Sequence, residues 1–336
     1  MSSNKIILVA GGTAGHVFPA CALSVELKKK NAYTCLITDQ RGAKHASFAD
    51  FDKIIILPIK KLNLTMLFLA PYLFTKSLFS ILGYKKIIFF GGYTTLFPFI
   101  ASILLFKIKI IYQLDSIVTR LNKILIPLAN YVIFSFPQTK VNNKNQYCLG
   151  IPTRNGFEFS FIKKDKELNI SIIGGSLGSN YWVNLIKNTL ENLPNEILQN
   201  INLKIQTTAD INWLERFNLK SIECKKFYET SILFAQSHLI IARAGASTIA
   251  EIASVGRCSF LVPWEKAMQN HQYFNALNYS SMEGADFGNS NEYLKLASMI
   301  TNIYSKEDFF YKKCEHAATS FATFAKQNAA KLILKI

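Results

Sequence analysis

Acidic residues are scarce in the first half of this chain of 336 residues. Residues 1–150 hold 18 Lys+Arg against 5 Asp+Glu, a net of +13; residues 151–336 hold the other 20 and 17, a net of +3. A basic half implies an anionic partner: nucleic acid, an anionic membrane face or phosphorylated substrates. A codon bias toward Lys, Asn, Ile and Phe explains abundant lysine, but not a shortage of acids confined to one half. No aromatic–basic interleaving or known module accompanies the charge, so nucleic acid is not expected as a partner. The six cysteines (Cys21, Cys35, Cys148, Cys224, Cys258, Cys314) form no C-x-x-C pair. That argues against a structural zinc or a disulfide framework and fits reduced thiols in a cytoplasm. No signal peptide is expected, because the sequence runs directly into a strand pattern. Charge is also absent from Ile87 to Phe106, a stretch whose length alone would span a bilayer. Gly91-Gly92, Thr94-Thr95 and Pro98 divide it, and it reads as a strand over 87–90, a glycine turn and a helix from Pro98.

What is present is enough apolar material for sizeable cores, 50% hydrophobic against 18% charged. Apolar β-branched runs alternate with helical patterns. Strands are expected at 5–9, 33–38, 53–57, 86–90, 108–112 and 131–134, and helices at 17–30, 64–82, 97–106 and 117–128. This alternation implies a parallel sheet with helices on both faces, whose ligands bind beyond the carboxyl ends of the strands. Residues 135–167 read as a connector. The opening pattern then returns: Gly11, Gly12, Thr13 and Gly15 reappear as Gly174, Gly175, Ser176 and Gly178, an offset of 163 (174 − 11). Two strand–glycine turn–helix units suggest two Rossmann-like domains facing each other, an α/β fold with parallel sheets. In the second half strands are expected at 202–206, 222–226, 238–241 and 258–262. Helices are expected near 179–192, 229–235, 246–254 and 269–281, with a helical tail from Glu307. The expected domains are 1–150 and 151–315, with a C-terminal helix over 316–336 that can cross back onto the first.

Four stretches could carry chemistry. The turn Gly11–Gly15 opens a helix, where free N–H groups favour phosphate, and His16 stands there as a potential acid or base. It could equally be a tight turn without a ligand, its imidazole bound to backbone. Arg243-Ala-Gly-Ala-Ser-Thr-Ile-Ala-Glu251 places Ser247 and Thr248 at a second helix start, with Glu251 able to take both hydroxyls of a ribose. A charge that merely favours the helix start is the alternative for Glu251. Gln269–Ala276 clusters amides and an imidazole without acids, suited to a sugar rather than a metal. Arg154, at the domain boundary, could neutralise a diphosphate or could be a solvated linker residue. Two further features are weaker. Asp50-Phe-Asp52 matches a metal-holding Asp-x-Asp but precedes a strand at its amino end, the wrong edge. Asp39 ends the second strand, where a dinucleotide enzyme holds ribose, but the first turn is not G-x-G-x-x-G. The stretch 60–82 is too apolar for an ordinary surface helix and is bordered by Lys60, Lys61, Lys85 and Lys86. It suits an anionic lipid interface, or burial within the fold.

Taken together and in order, these motifs resemble the MurG family of peripheral membrane glycosyltransferases of peptidoglycan synthesis. Gly11–His16 is similar to its first glycine loop, Gly91–Pro98 to its second, and Gly174–Gly178 to its G-G-S-x-G loop. Arg243–Glu251 and Asn270–Gln272 resemble its donor-binding segments. The resemblance implies a GT-B fold and an inverting transfer of N-acetylglucosamine (GlcNAc) from UDP-GlcNAc to the 4-hydroxyl of N-acetylmuramoyl-pentapeptide on a polyprenyl diphosphate (lipid I), giving lipid II. It also implies work at the cytoplasmic face of the membrane, with no cofactor and no metal. On the same grounds His16 would be the general base, and Thr13, Ala14 and Gly15 would lie at the sugar or acceptor diphosphate. Arg154 and Ser176 would face the donor diphosphate, Tyr228 the uracil, and Ala246, Ser247 and Thr248 the donor. Glu251 would meet the ribose, and His271 and Gln272 the GlcNAc. Asp115 stands where the family has an Asn at the donor sugar. The departures are Ala14 for a loop glycine, Tyr112-Gln-Leu-Asp115 for H-E-Q-N, and Ile151 for the Asn of G-N-P-x-R. They leave open another GT-B enzyme with a different acceptor, or a subunit that binds a sugar nucleotide without turnover.

Overall fold

The computed structural model describes residues 4–59, 65–137, 143–174, 182–321 and 324–336. It divides into two compact units, Met1–Asn155 with Phe324–Ile336, and Gly156–Thr323.

The first unit is built on β1 (Lys5–Ala10), β2 (Tyr33–Asp39), β3 (Lys53–Leu57), β4 (Lys86–Gly91), β5 (Ile108–Gln113), β6 (Tyr131–Phe134) and β7 (Gln146–Cys148). They form one sheet in the order β3-β2-β1-β4-β5-β6-β7, every pairing parallel. Only a strand covered on both faces can be apolar throughout, as Ile6–Val9 and Ile87–Phe90 are. The cover comes from α1 (Ala14–Lys28), α2 (Gln40–Ala43), α3 (Thr65–Ile81), α4 (Leu96–Leu104) and α5 (Arg120–Leu125). The run over 87–106 thus resolves into β4, a turn and α4, and no described helix is long and apolar enough to cross a membrane. α3 buries a narrow stripe, Leu73, Ser77 and Ile81, each one turn apart. Its other side leaves Phe68, Tyr72 and Phe79 exposed, beside Ile103, Leu104 and Phe106 at the end of α4.

The second unit carries β8 (Leu168–Ile173), β9 (Ile201–Gln206), β10 (Ser221–Lys225), β11 (Leu239–Ala242), β12 (Cys258–Leu261) and β13 (Asp286–Phe287). Their order is β10-β9-β8-β11-β12-β13, again all parallel. Around them lie α6 (Val183–Glu191), α7 (Asn195–Leu198), α8 (Thr230–Ala235), α9 (Ala246–Val255), α10 (His271–Ser281), α11 (Tyr293–Ser305) and α12 (Glu307–Ser320). One apolar cluster, from Leu168 to Cys314, fills one face of the sheet, and a second, from Phe157 to Ala285, fills the other. Arg257 is fully buried and pairs with no carboxylate among the described residues. Its guanidinium donates to the carbonyls of Ala235, Val255 and Ser160 and so satisfies the last turns of α8 and α9.

The helical tail breaks after Ser320 and resumes as α13 (Ala325–Lys335), which belongs to the first unit and packs on α1. Lys86 is buried there, its ammonium donating to the carbonyls of Ile333 and Leu334 at the end of α13. Lys86 is therefore a C-terminal helix partner rather than one of the basic borders of α3.

Candidate functional site

In each sheet the strand order reverses once, between β1 and β4 and between β8 and β11. Open parallel sheets bind ligands at such points, beyond the carboxyl ends of the strands.

In the first unit the turns after β1 and β4 interlock there. A Cβ on Gly11 would fall 1.9 Å from Thr94 Oγ1, so only glycine lets the turns meet this closely. α1 begins at Ala14, earlier than the pattern predicts, and puts Gly15 and His16 in its first turn. Thr13 is the N-cap, though its side chain makes no capping bond. The His16 ring is half-buried, with Nδ1 3.1 Å from Gly11 O. A carbonyl can only accept, so Nδ1 carries the proton and the lone pair is left on Nε2. Gly91, at φ +111°, makes room for that edge, since a Cβ there would lie 3.2 Å from Nε2.

The residues that depart from the family pattern are held firmly. Tyr112 is buried, stacks on Phe90 at 5.2 Å and donates its hydroxyl to Gly150 O at 2.9 Å. Gln113 donates to the carbonyls of Asp115 (2.9 Å) and Ile117 (2.8 Å), while Asn122 donates to its Oε1 at 2.6 Å. These bonds fix the loop that carries the half-buried Asp115. Ile151 is buried. Arg154 falls in the first unit, its guanidinium 4.1 Å above the Phe18 ring of α1.

Asp39 and Asp52 turn out to be structural. Asp39 is fully buried and accepts from the amides of Gly12 (2.9 Å) and Gly42 (2.7 Å) and from Arg41 (2.9 Å). Burial opposes its ionisation, but the two amides and the guanidinium outweigh that and hold its carboxyl below the usual range. The ribose position of a dinucleotide enzyme is thus occupied by the protein itself. Asp52 accepts from the amide of Thr34 at 2.8 Å at the amino edge of the sheet. Among the described residues no group of three or more His, Cys, Asp or Glu could hold a metal.

In the second unit the candidates gather beyond β11 and β12. Gly245 caps α9, and Ala246, Ser247 and Thr248 form its first turn. Glu251 follows in the second turn, 7% exposed. α10 starts from two left-handed residues, Gln269 and Asn270, both at φ 55°. Strain of this kind persists where surrounding structure enforces it, and it clusters at functional sites. His271 Nδ1 lies 2.8 Å from Met268 O, and Gln272 Oε1 accepts from the amide of Trp264 at 2.9 Å. Asn275, which the sequence marked only as one amide of the 269–276 cluster, is fully buried and donates to Ala244 O at 3.2 Å. It ties α10 to the turn before α9, so the two candidate segments are coupled. Tyr228, after β10, donates to Glu223 O at 3.0 Å. Burial, aided by the Glu223 carboxylate, pushes its phenol up to about 12. Ser176 lies outside the described residues.

Two Rossmann-like domains of parallel strands, each with its candidate residues at the carboxyl edge, make this a protein of the GT-B fold. The N-terminal domain of glycosyltransferase family 28 matches residues 6–133, and its C-terminal domain matches residues 169–333; the chain belongs to this family. A relative from Wolbachia pipientis subsp. Culex pipiens is 30% identical over 312 residues, covering 89% of each chain. One from Rickettsia bellii is 32% identical over 297 residues, covering 81% of this chain and 82% of its own. Both bear the name UDP-N-acetylglucosamine–N-acetylmuramyl-(pentapeptide) pyrophosphoryl-undecaprenol N-acetylglucosamine transferase. Among solved structures, Acinetobacter baumannii MurG superposes with a TM-score of 0.80 at 23% identity, covering 99% of this chain and 100% of its own.

Proposed function

We propose that this chain transfers GlcNAc from UDP-GlcNAc to the 4-hydroxyl of the MurNAc-pentapeptide of lipid I, with inversion, to give lipid II. The names of its relatives support the substrates. The observation that carries the chemistry is His16, with Nδ1 anchored on Gly11 O at the β1–β4 reversal and its lone pair on Nε2. In the reaction Nε2 accepts the proton of the acceptor hydroxyl as its oxygen attacks C1 of GlcNAc. The C1–oxygen bond to UDP breaks on the opposite face, and UDP leaves as the diphosphate.

The remaining roles follow the same reading. Thr13, Ala14 and Gly15 lie against the sugar or the acceptor diphosphate. Arg154 and Ser176 face the donor diphosphate, and Asp115 the donor sugar. Tyr228 marks the segment whose backbone holds uracil. Ala246, Ser247 and Thr248 contact the donor at the start of α9, Glu251 accepts from the ribose hydroxyls, and His271 and Gln272 hold GlcNAc. The enzyme works peripherally at the cytoplasmic face of the membrane. Phe68, Tyr72, Phe79, Leu104 and Phe106 are exposed together with Lys85 and beside the half-buried Lys76, the composition of a surface that enters an anionic lipid interface.

The test is transfer of labelled GlcNAc to a lipid I analogue by purified protein with EDTA present, beside His16→Ala. Product from the wild type and a loss of about 100-fold or more in the variant are expected for a missing general base. Binding of UDP-GlcNAc without any product would overturn the assignment and favour a subunit that only binds the sugar nucleotide.

A further inference from the structure

Arg41 is one of only two arginines among the 18 basic residues of positions 1–150, the other being Arg120. It belongs to α2, directly after β2, at the same carboxyl edge that carries Gly11–Gly15 and His16. Its Nε and Nη2 meet Asp39 Oδ2 at 3.3 and 2.9 Å. The other oxygen of Asp39 is held by the amides of Gly12 and Gly42. Gly42 has to be glycine, since a Cβ there would lie 2.2 Å from Thr38 Oγ1. The guanidinium is thus clamped from below by a fully buried carboxylate that also grips the glycine turn. A Cβ on Gly12 would sit 3.5 Å from Arg41 Nη2, so the guanidinium lies alongside the turn.

Pairing with the buried Asp39 carboxylate gives Arg41 a structural role, but that role uses only one edge of the guanidinium. The side chain stays 46% exposed. Its Nη1 makes no hydrogen bond among the described residues. The edge used by Asp39 is Nε–Nη2, which leaves Nη1 and the outer N–H of Nη2 as a planar fork. Such a fork matches two oxygens of a phosphate, and it costs little ordering when the stem is already fixed.

We propose that Arg41 binds the diphosphate of the lipid-linked acceptor beside the Gly11–Gly15 turn, with Asp39 as the positioning residue that presets it. This deepens the transferase reading and rests on it for the identity of the acceptor, but not for the presence of a diphosphate site. The donor also carries a diphosphate, so the experiment separates the two.

The full-length protein in detergent micelles is titrated with farnesyl diphosphate, with farnesol and with UDP-GlcNAc, for wild type, Arg41→Ala, Arg41→Lys and Asp39→Asn. Arg41→Ala should weaken farnesyl diphosphate at least tenfold and leave farnesol and UDP-GlcNAc unchanged. Arg41→Lys should recover part of the loss, as a point charge without the fork. Asp39→Asn should weaken the same ligand alone, by a smaller factor. In turnover, Arg41→Ala should raise the acceptor KM with kcat little altered. Unchanged binding of farnesyl diphosphate in Arg41→Ala, or no binding by the wild type, overturns the proposal. An equal loss for farnesol or for UDP-GlcNAc overturns it too. Arg41-dependent binding of farnesyl diphosphate by a wild type that never transfers GlcNAc supports the site while overturning the transferase reading.

Discussion

Glu251 shows how far a single residue can be read. From the sequence it is either a ribose ligand or a charge that favours a helix start. The structure weakens the second role, because α9 begins at Ala246 and Glu251 sits in its second turn, beyond the reach of the helix dipole. In the ribose reading its carboxylate, 7% exposed near the start of α9, accepts from both hydroxyls of the ribose. Glu251→Gln should therefore weaken UDP-GlcNAc about 10- to 100-fold, the loss expected for hydrogen bonds to a charged group. The same variant should lose most of its preference for UDP over 2′-deoxy-UDP, measured by competition. Equal losses for both nucleotides would return Glu251 to a structural role. The helix starts that carry His16, Ser247 and Thr248 were legible in the sequence, because glycine turns announce them. Arg41 was not, and Asn275 was legible only as an amide of the 269–276 cluster, without its structural role. Their meaning depends on partners far along the chain, Gly12 for the clamp on Arg41 and Ala244 for Asn275, and no local pattern encodes such pairings.

Elements were more legible than side chains. The strands expected at 5–9, 53–57 and 131–134 appear within a residue, because buried parallel strands are continuous apolar runs. β7 and β13 went unseen: Gln146–Cys148 is exposed and Asp286–Phe287 is two residues long, so neither has a pattern to read. Where β8 and β11 begin, His238 is buried and fully engaged. Its Nδ1 accepts from the amide of Asn169 at 3.0 Å, and its Nε2 donates to Lys163 O at 3.0 Å. Burial holds its pKa below the ordinary value of 6.5, which the Lys163 carbonyl only partly opposes. The folded state therefore binds fewer protons here than the unfolded chain. The stabilisation is present in full above pH 6.5 and is lost as pH falls through the depressed value. Urea midpoints should fall on acidification from pH 7 to 5 in the wild type. In His238→Gln, which keeps an acceptor and a donor but does not titrate, the slope should be shallower. A slope identical in both would show that other groups govern the acid response.

At the scale of the whole molecule, the uneven charge and the uneven apolar surface coincide. The first unit carries the excess of cations, and it also exposes Phe68 at 84%, Phe79 at 71% and Phe106 at 94%. Rings of this size beside lysines have a physical use in a lipid interface, where apolar burial and attraction to anionic headgroups add together. Each lysine near an anionic surface contributes about 1 kcal/mol, and salt screens that share but not the apolar one. Lys86 is excluded from the count because it is buried against α13, and Lys60 and Lys61 lie outside the described residues. Sedimentation with vesicles containing anionic phospholipid should therefore capture the protein at low salt and only partly release it at high salt. Neutral vesicles should bind it weakly. Phe79→Glu and Phe106→Glu, both at exposed positions, should abolish the salt-resistant fraction without lowering the unfolding temperature. They should also reduce transfer to a long-chain acceptor in vesicles while sparing a short-chain acceptor in solution. Binding that salt reverses completely, or that survives both substitutions, would mean that α3 and α4 face something other than lipid.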